Sequence, residues 1–440
     1  LKIAIIGGGI SGLTTAFYLK RYSPTYDITV FESESYFGGK LKTVDKYGFA
    51  IEISANGIFE SNNESMSLIK DAGMEKLLRP CSENADKKYI FDKGTLHLFP
   101  ENHSAFMQTK LLGFFGKLRA VIENVIPKKK NNSEESFQKL GYRRIGKSAT
   151  NILFDVISTI KFASNPEKLS ANAAFSDFVA LEKESGGLLG GLLKKASISK
   201  SIVGFNGGMS TFTNTLVSSF SFTKRLSTEV SEVKQSGKKW LVQTTDANTT
   251  EFDKVIIATP SFVASRILKE QDEELGELLK NIEYSPIAVV ALGYTTLPHS
   301  MDGFGIVTTK RSNTQILGIV WDSSIFPSST QNNNKLLRVI IGGQRQPLLA
   351  LKEDQELLNI ATGGVSETMG VYEEPLLKHV VRWHKAIPNY AVGHIALIDK
   401  IFEKTDKMKG LYLNSSAYKG ISLNDCIKNS RELALKIISE

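Results

Sequence analysis

The chain opens on a short apolar run, Ile3 to Ile6, that ends in three consecutive glycines. Ile3, Ile5 and Ile6 predict a buried strand, and the residues from about Ser11 to Lys20 predict a helix. Ile28-Thr29-Val30-Phe31 is a second strand that ends at Glu32. Val255-Ile256-Ile257-Ala258-Thr259 is a third, stopped by Pro260, and Gly410-Leu411-Tyr412-Leu413 is a fourth. Between them, Ser227–Lys234 and Lys239–Thr245 alternate apolar and polar residues around Ser236-Gly237, the mark of a hairpin. Helical patterns cover 148–160 and 423–438, and residues 165–195 read as helix mixed with glycine-rich loops. Lys128–Ser136 and Asn332-Asn333-Asn334 are polar loops. The strand pieces at 2–6, 28–32, 255–259 and 410–413 are far apart in sequence. The chain therefore predicts an interleaved α/β protein rather than a nucleotide-binding domain followed by a second one.

The glycines carry chemistry. Gly7, Gly9 and Gly12 fit a GxGxxG pattern between strand and helix. One glycine makes the tight turn, one lets backbone approach a pyrophosphate, and one lets helix pack on strand. The helix start then offers unpaired N–H groups and a positive dipole end, with Ile10 and Ser11 in its first turn. Glu32 stands where a carboxylate accepts hydrogen bonds from ribose hydroxyls, with Ser33 beside it. Strand, glycines, helix, strand and acid in this order predict a dinucleotide site.

Composition narrows the class. The 440 residues are 41% hydrophobic and 23% charged, as expected of a folded protein of two or three domains. Cys81 and Cys426 give no disulfide framework, so a reducing, cytoplasmic setting is expected. No apolar run reaches the ~18 residues that a membrane span needs, and no signal peptide is expected. The six histidines show no metal-ligand spacing, so no metal is expected. No Ser/His/Asp or Cys/His nucleophile is evident.

Downstream residues separate flavin from nicotinamide. Glu32 is followed by Gly38-Gly39-Lys40 and Thr43, a spacing that resembles the second signature of FAD-containing amine-oxidase-type flavoproteins. That resemblance implies a Rossmann-like FAD-binding domain interleaved with an α+β substrate domain and a mainly helical membrane or lid domain. It places Gly38 and Gly39 against the phosphates and ribityl chain, Lys40 against phosphate charge, and Val230 against adenine. Four further segments resemble the protoporphyrinogen/coproporphyrinogen oxidase branch. They are Pro166–Ser170 with Ala173-Ala174-Phe175, then Phe205-Asn206-Gly207-Gly208-Met209, then Arg382-Trp383 through Val392-Gly393-His394, and finally Gly410 through Asp425-Cys426-Ile427. The implied boundaries are 1–60, 205–265 and 385–440 for FAD, 61–95 and 266–384 for substrate, and 96–204 for the helical part.

The resemblance implies oxidation of a porphyrinogen, with hydride passing to the flavin and molecular oxygen as acceptor. No side chain is assigned as catalytic, because the cofactor carries the chemistry. Trp383, Ser415, Ser416, Gly420, Ile421 and Ser422 join the implied cofactor set. Ser422 with Asp425 resembles a capping box that turns the last helix start toward the flavin. Asn56, Phe59 and Lys88 are the implied substrate contacts. Lys88 falls where several family members carry an arginine that meets a propionate. Two departures stand out: Ser54-Ala55 replaces Gly-Pro, and Ser415-Ser416 replaces Gly-Asn or Gly-Asp. They leave open another flavin oxidase or desaturase of the superfamily, or a non-catalytic flavin- or porphyrin-binding relative.

Charge is concentrated. The formal net charge is +8, and residues 107–147 hold ten cationic side chains against three acids. Apolar positions 111, 114, 115, 118, 122, 125 and 126 recur there at helical spacing. This segment resembles an interfacial helix on an anionic membrane, or alternatively a helix covering the substrate pocket. No nucleic-acid module is recognisable. A monomer or homodimer is expected.

Overall fold

The computed structural model describes residues 1–440 apart from 130, 132, 199 and 200. Lys130, part of the predicted basic run, lies outside the described residues. The four predicted strands pair in parallel, and a fifth joins them. The order is Thr223–Arg225, Asp27–Phe31, Lys2–Ile6, Lys254–Ile257, Leu411–Leu413. The added edge strand is three residues long and wholly exposed, so no apolar run announced it. The first strand is apolar on both faces because both are covered. Ile3 and Ile5 belong to one core, Ala4 and Ile6 to another.

The first core holds helix Ile10–Tyr22, helix Met209–Ser218 and the last helix, Leu423–Ser439. The second holds the predicted hairpin, observed as Val230–Ser236 and Lys239–Thr244. A third strand, Thr249–Phe252, completes that small sheet. A separate seven-stranded sheet takes residues from 88 to 98 and from 284 to 388. Its long strands Tyr284–Tyr294 and Leu377–Pro388 pair antiparallel. The register shifts between Ser285 and Ile287, which leaves Pro286 at an irregularity where its missing N–H does no harm.

Helices fill 103–198 around a third core. Phe137 is stacked between Phe154 and Phe175, with centroids 4.0 and 3.8 Å away. The predicted helix at 148–160 is part of a longer one from Gly146 to Phe162, with a π-helical turn at Thr150–Phe154.

The basic segment is not a uniform charged surface. Arg144 is fully buried and donates to the carbonyls of Glu123 and Ile126, at 2.8 and 2.7 Å. Arg119 donates to the carbonyls of Arg143 and Arg144. Arg143 pairs with Glu135 and Glu182. Arg119 and Arg144 thus satisfy carbonyls at helix ends inside the fold. The apolar positions divide as well. Leu111 and Leu112 are buried before the helix Phe114–Val121, which passes into a 3₁₀ turn, Ile122–Val125. Phe114, Phe115, Leu118, Val121, Ile122 and Val125 are exposed, Phe115 to 82%. This apolar face points to solvent.

Candidate functional site

A cavity of about 500 Å³ opens at the carboxyl ends of the parallel strands, where open α/β sheets place ligands. Ile6, Gly7, Gly9, Ile10 and Ser11 form one wall. Three observations show what this wall suits. A Cβ on Gly9 would meet nothing within 4 Å, so that backbone faces open space. A Cβ on Gly12 would lie 2.0 Å from the Gly7 carbonyl oxygen, so the third glycine serves helix packing. The helix cap, Gly9, has no side-chain acceptor and the first turn has no acid, which leaves the leading N–H groups to a ligand.

Glu32 is held rigidly. Its Oε2 accepts the Gly8 N–H at 2.8 Å, and its Oε1 accepts the Glu34 N–H at 2.9 Å and the Ser33 hydroxyl at 3.2 Å. The carboxylate and Ser33 both line the cavity. Gly38 donates to the Gly8 carbonyl, so the second glycine pair is laced to the first loop. Gly39 sits at φ +58, a conformation that favours glycine.

Lys40 is a partly buried cation of the cavity. Its Nζ donates to the Ala386 carbonyl and lies 5.7 Å from the centre of the Trp383 ring. Burial pushes its pKa down to about 8, because few neighbours solvate the ammonium. An anion beside it would recover that lost solvation. The Thr259 hydroxyl, also in the lining, is buried without a partner among protein groups. A diphosphate-bearing dinucleotide fits this donor set. At the rim, Arg266 pairs with Glu229 at 2.6 Å.

Other sequence-derived candidates divide. Val230, Trp383, Ser415 and Ser416 line the cavity. Gly420, Ile421 and Ser422 are outside the lining, in the turn that leads into the last helix. Gly420 is at φ +73, and a Cβ there would meet Asp425 at 2.4 Å. Ser422 caps that helix in a full capping box with Asp425. Asn56 is outside the lining too, with a buried Nδ2 that has no partner. Phe59 is 38% exposed on a two-residue strand. Lys88 stands on the seven-stranded sheet, 3.9 Å from Glu101. The structure thus does not bring Phe59 or Lys88 into this cavity.

Sequence reasoning missed Thr259, Phe262, Tyr284 and Cys426 among the lining residues. Thr259 was legible in principle, since it ends a parallel strand. Tyr284 carried no signal; its hydroxyl accepts the Ser261 N–H at 2.9 Å, a contact across two elements. Among the described residues, no group of three or more His, Cys, Asp or Glu could hold a metal.

Comparison with known proteins agrees with this geometry. A family model described as flavin containing amine oxidoreductase matches residues 10–438. The coproporphyrinogen III oxidase of Bacillus subtilis (strain 168) is 27% identical over 455 residues, covering 98% of this chain and 96% of its own. The mitochondrial protoporphyrinogen oxidase of Nicotiana tabacum is 27% identical over 481 residues, covering 100% and 95%. A crystal structure of a protein from Exiguobacterium sp. 255-15 shares the fold with a TM-score of 0.87 at 22% identity. That match covers 100% of this chain and 99% of the other.

Proposed function

The chain belongs to the flavin-containing amine oxidoreductases, and from that premise we propose that it is an FAD-dependent oxidase of a porphyrinogen. One observation carries the substrate: the end-to-end similarity to oxidases named for coproporphyrinogen III and protoporphyrinogen. The geometry of the cavity supports a place for the cofactor. The helix Ile10–Tyr22 start and Lys40 would meet the diphosphate, and Glu32 would accept from ribose. Val230 would lie against adenine, and Ser415 and Ser416 would face the ribityl chain. Bound FAD supplies a hydride acceptor that molecular oxygen reoxidises.

The protein's own work is to bind, orient and exclude water. Trp383, Phe262 and Tyr284 give the cavity aromatic walls. Lys40 keeps positive charge beside them. Asn56 holds a buried donor ready for a substrate acceptor. The helix start at Ser422 remains the proposed stabiliser of negative charge on the reduced cofactor. The test is aerobic turnover of coproporphyrinogen III and protoporphyrinogen IX, read as porphyrin fluorescence above autoxidation. Flavin-loaded protein inactive on both would end this reading.

The place of action is part of the proposal. The outward face of Phe114, Phe115, Leu118, Val121, Ile122 and Val125, with exposed Lys110 and Lys128 nearby in sequence, suits the cytoplasmic surface of an anionic membrane. Among the described residues no helix is long and apolar enough to cross one. Sedimentation with anionic and zwitterionic vesicles tests this. Phe115→Glu should release the protein from anionic vesicles, and equal retention of both proteins would refute it.

A further inference from the structure

Three segments singled out by sequence meet at one side chain outside the cavity, Glu52. Thr43 ends the Gly38-Gly39-Lys40 signature, and its hydroxyl donates to the Glu52 carboxyl at 3.1 and 3.2 Å. Met209, from Phe205-Asn206-Gly207-Gly208-Met209, donates its N–H to Glu52 Oε1 at 2.9 Å. That N–H belongs to the first residue of helix Met209–Ser218, so the carboxyl sits at a helix start. Gly208 must be glycine: at φ +81, a Cβ would lie 2.4 Å from Glu52 Oε1 and 2.3 Å from Thr43 Oγ1.

From Glu52 the structure leads back to the cavity. Arg338, buried and bidentate on Asp322 at 2.7 and 2.8 Å, also donates from one Nη to the carbonyls of Glu52 and Ser54, each at 2.6 Å. The Ser54 hydroxyl donates to the Lys40 carbonyl at 2.5 Å. Asn56, two residues on, holds its unpartnered buried donor. The charged groups facing Glu52 are Arg338 and Asp322 on the seven-stranded side and Arg79 from strand Leu78–Pro80.

We propose that Glu52 is a positioning residue for the reaction. Its carboxyl ties the Lys40 segment to the start of helix Met209–Ser218, and its charge decides how Arg338 grips the Ser54–Asn56 loop. When Glu52 is ionised, its charge acts on Arg338 through space, beside the direct pairing with Asp322. When Glu52 is protonated, Arg338 belongs to Asp322 and to the two carbonyls alone. The grip on the Ser54–Asn56 loop, which the Ser54 hydroxyl bonds to the Lys40 carbonyl, would then differ between these states. Burial raises the Glu52 pKa to about 7, against the donors around it, so both states are populated near neutrality. The Ser54-Ala55 departure fits here, because the Ser54 hydroxyl supplies the bond to Lys40 that glycine would lack.

The test uses FAD-loaded protein. Wild type should show a several-fold change in kcat/KM between pH 6 and 8. Glu52→Gln, fixed in the neutral form, should lose that change while keeping its flavin. Glu52→Asp should keep the bend at a lower rate, which a merely structural role would not produce. Superimposable profiles for wild type and Glu52→Gln would overturn the proposal. If Glu52→Gln sheds its flavin, the visible spectrum of bound flavin in wild type decides. It should shift with a midpoint near pH 7, and a constant spectrum across pH 6–8 would overturn the proposal. The turnover arm rests on the porphyrinogen reading. The spectral arm does not, so inactivity on both porphyrinogens alongside a spectral midpoint near pH 7 would sink only that reading.

Discussion

At the scale of single residues, the glycines of the first loop separate binding from folding. Gly9 meets no protein atom where a Cβ would go, while Gly12 would meet the Gly7 carbonyl at 2.0 Å. Gly9→Val should therefore leave circular dichroism and the unfolding midpoint unchanged and abolish FAD retention. Gly12→Ala should cost about 3 kcal/mol of stability through overpacking against rigid backbone. Full FAD content in Gly9→Val would remove the diphosphate from this loop. Lys40 makes a second prediction. Its pKa of about 8 means that part of the population is neutral above that pH. A diphosphate beside it stabilises the ammonium and raises the pKa, so FAD binding should take up protons between pH 8 and 10. The sign follows: affinity falls as pH rises through 8. Lys40→Arg, which stays charged throughout, should bind FAD without this slope. Calorimetry in buffers of different ionisation heat would read the proton count directly.

At the scale of elements, legibility followed burial and local chemistry. The first strand was readable because Ile3 to Ile6 is buried on both faces, and its helix because Gly7, Gly9 and Gly12 have local tasks. The edge strand Thr223–Arg225 was not readable, since its partner in the sheet, Asp27–Phe31, is almost two hundred positions earlier and its own residues face solvent. Periodicity showed that residues 111–126 have an apolar face but not which way it points. That depends on buried neighbours such as Arg144 and Glu123, whose charges looked in sequence like surface charges. Glu123 instead accepts the N–H groups of Leu188 and Leu189 at 2.7 Å each. The place of Lys88 was hidden for a similar reason: strand register, a long-range property, sets it on the seven-stranded sheet opposite Gly305, outside the cavity. The last helix was legible from end to end, because its cap is local. Ser422 accepts the Asp425 N–H, and Asp425 accepts the Ser422 N–H, both at 3.1 Å. Ser422→Ala should lower stability by about 1 kcal/mol in urea denaturation. A change within experimental error would show that the cap carries little of the helix.

At the scale of the molecule, the cavity is walled from eight separate stretches, from Ile6 near the start to Cys426 near the end. No single element owns it, so a bound cofactor would tie together parts drawn from across the chain. The helical region is different. Its core around Phe137, Phe154 and Phe175 is a cluster distinct from the two that flank the parallel sheet. Anything that binds only the folded form stabilises by mass action, and free FAD at one hundred times its Kd contributes about 2.7 kcal/mol. Where that stabilisation appears depends on this division. Hydrogen exchange compared with and without FAD should slow at Ile10–Gly12, Gly38–Lys40 and Ser415–Tyr418, the backbone closest to the cavity. It should change little at Phe137–Arg144 and Asp155–Phe162, which pack in the separate core. Global unfolding would still become rarer everywhere, so the comparison belongs to amides that exchange by local opening. Equal slowing in both regions would mean that the helical part and the parallel sheet open as one unit, and that the outward apolar helix reports on the cofactor site.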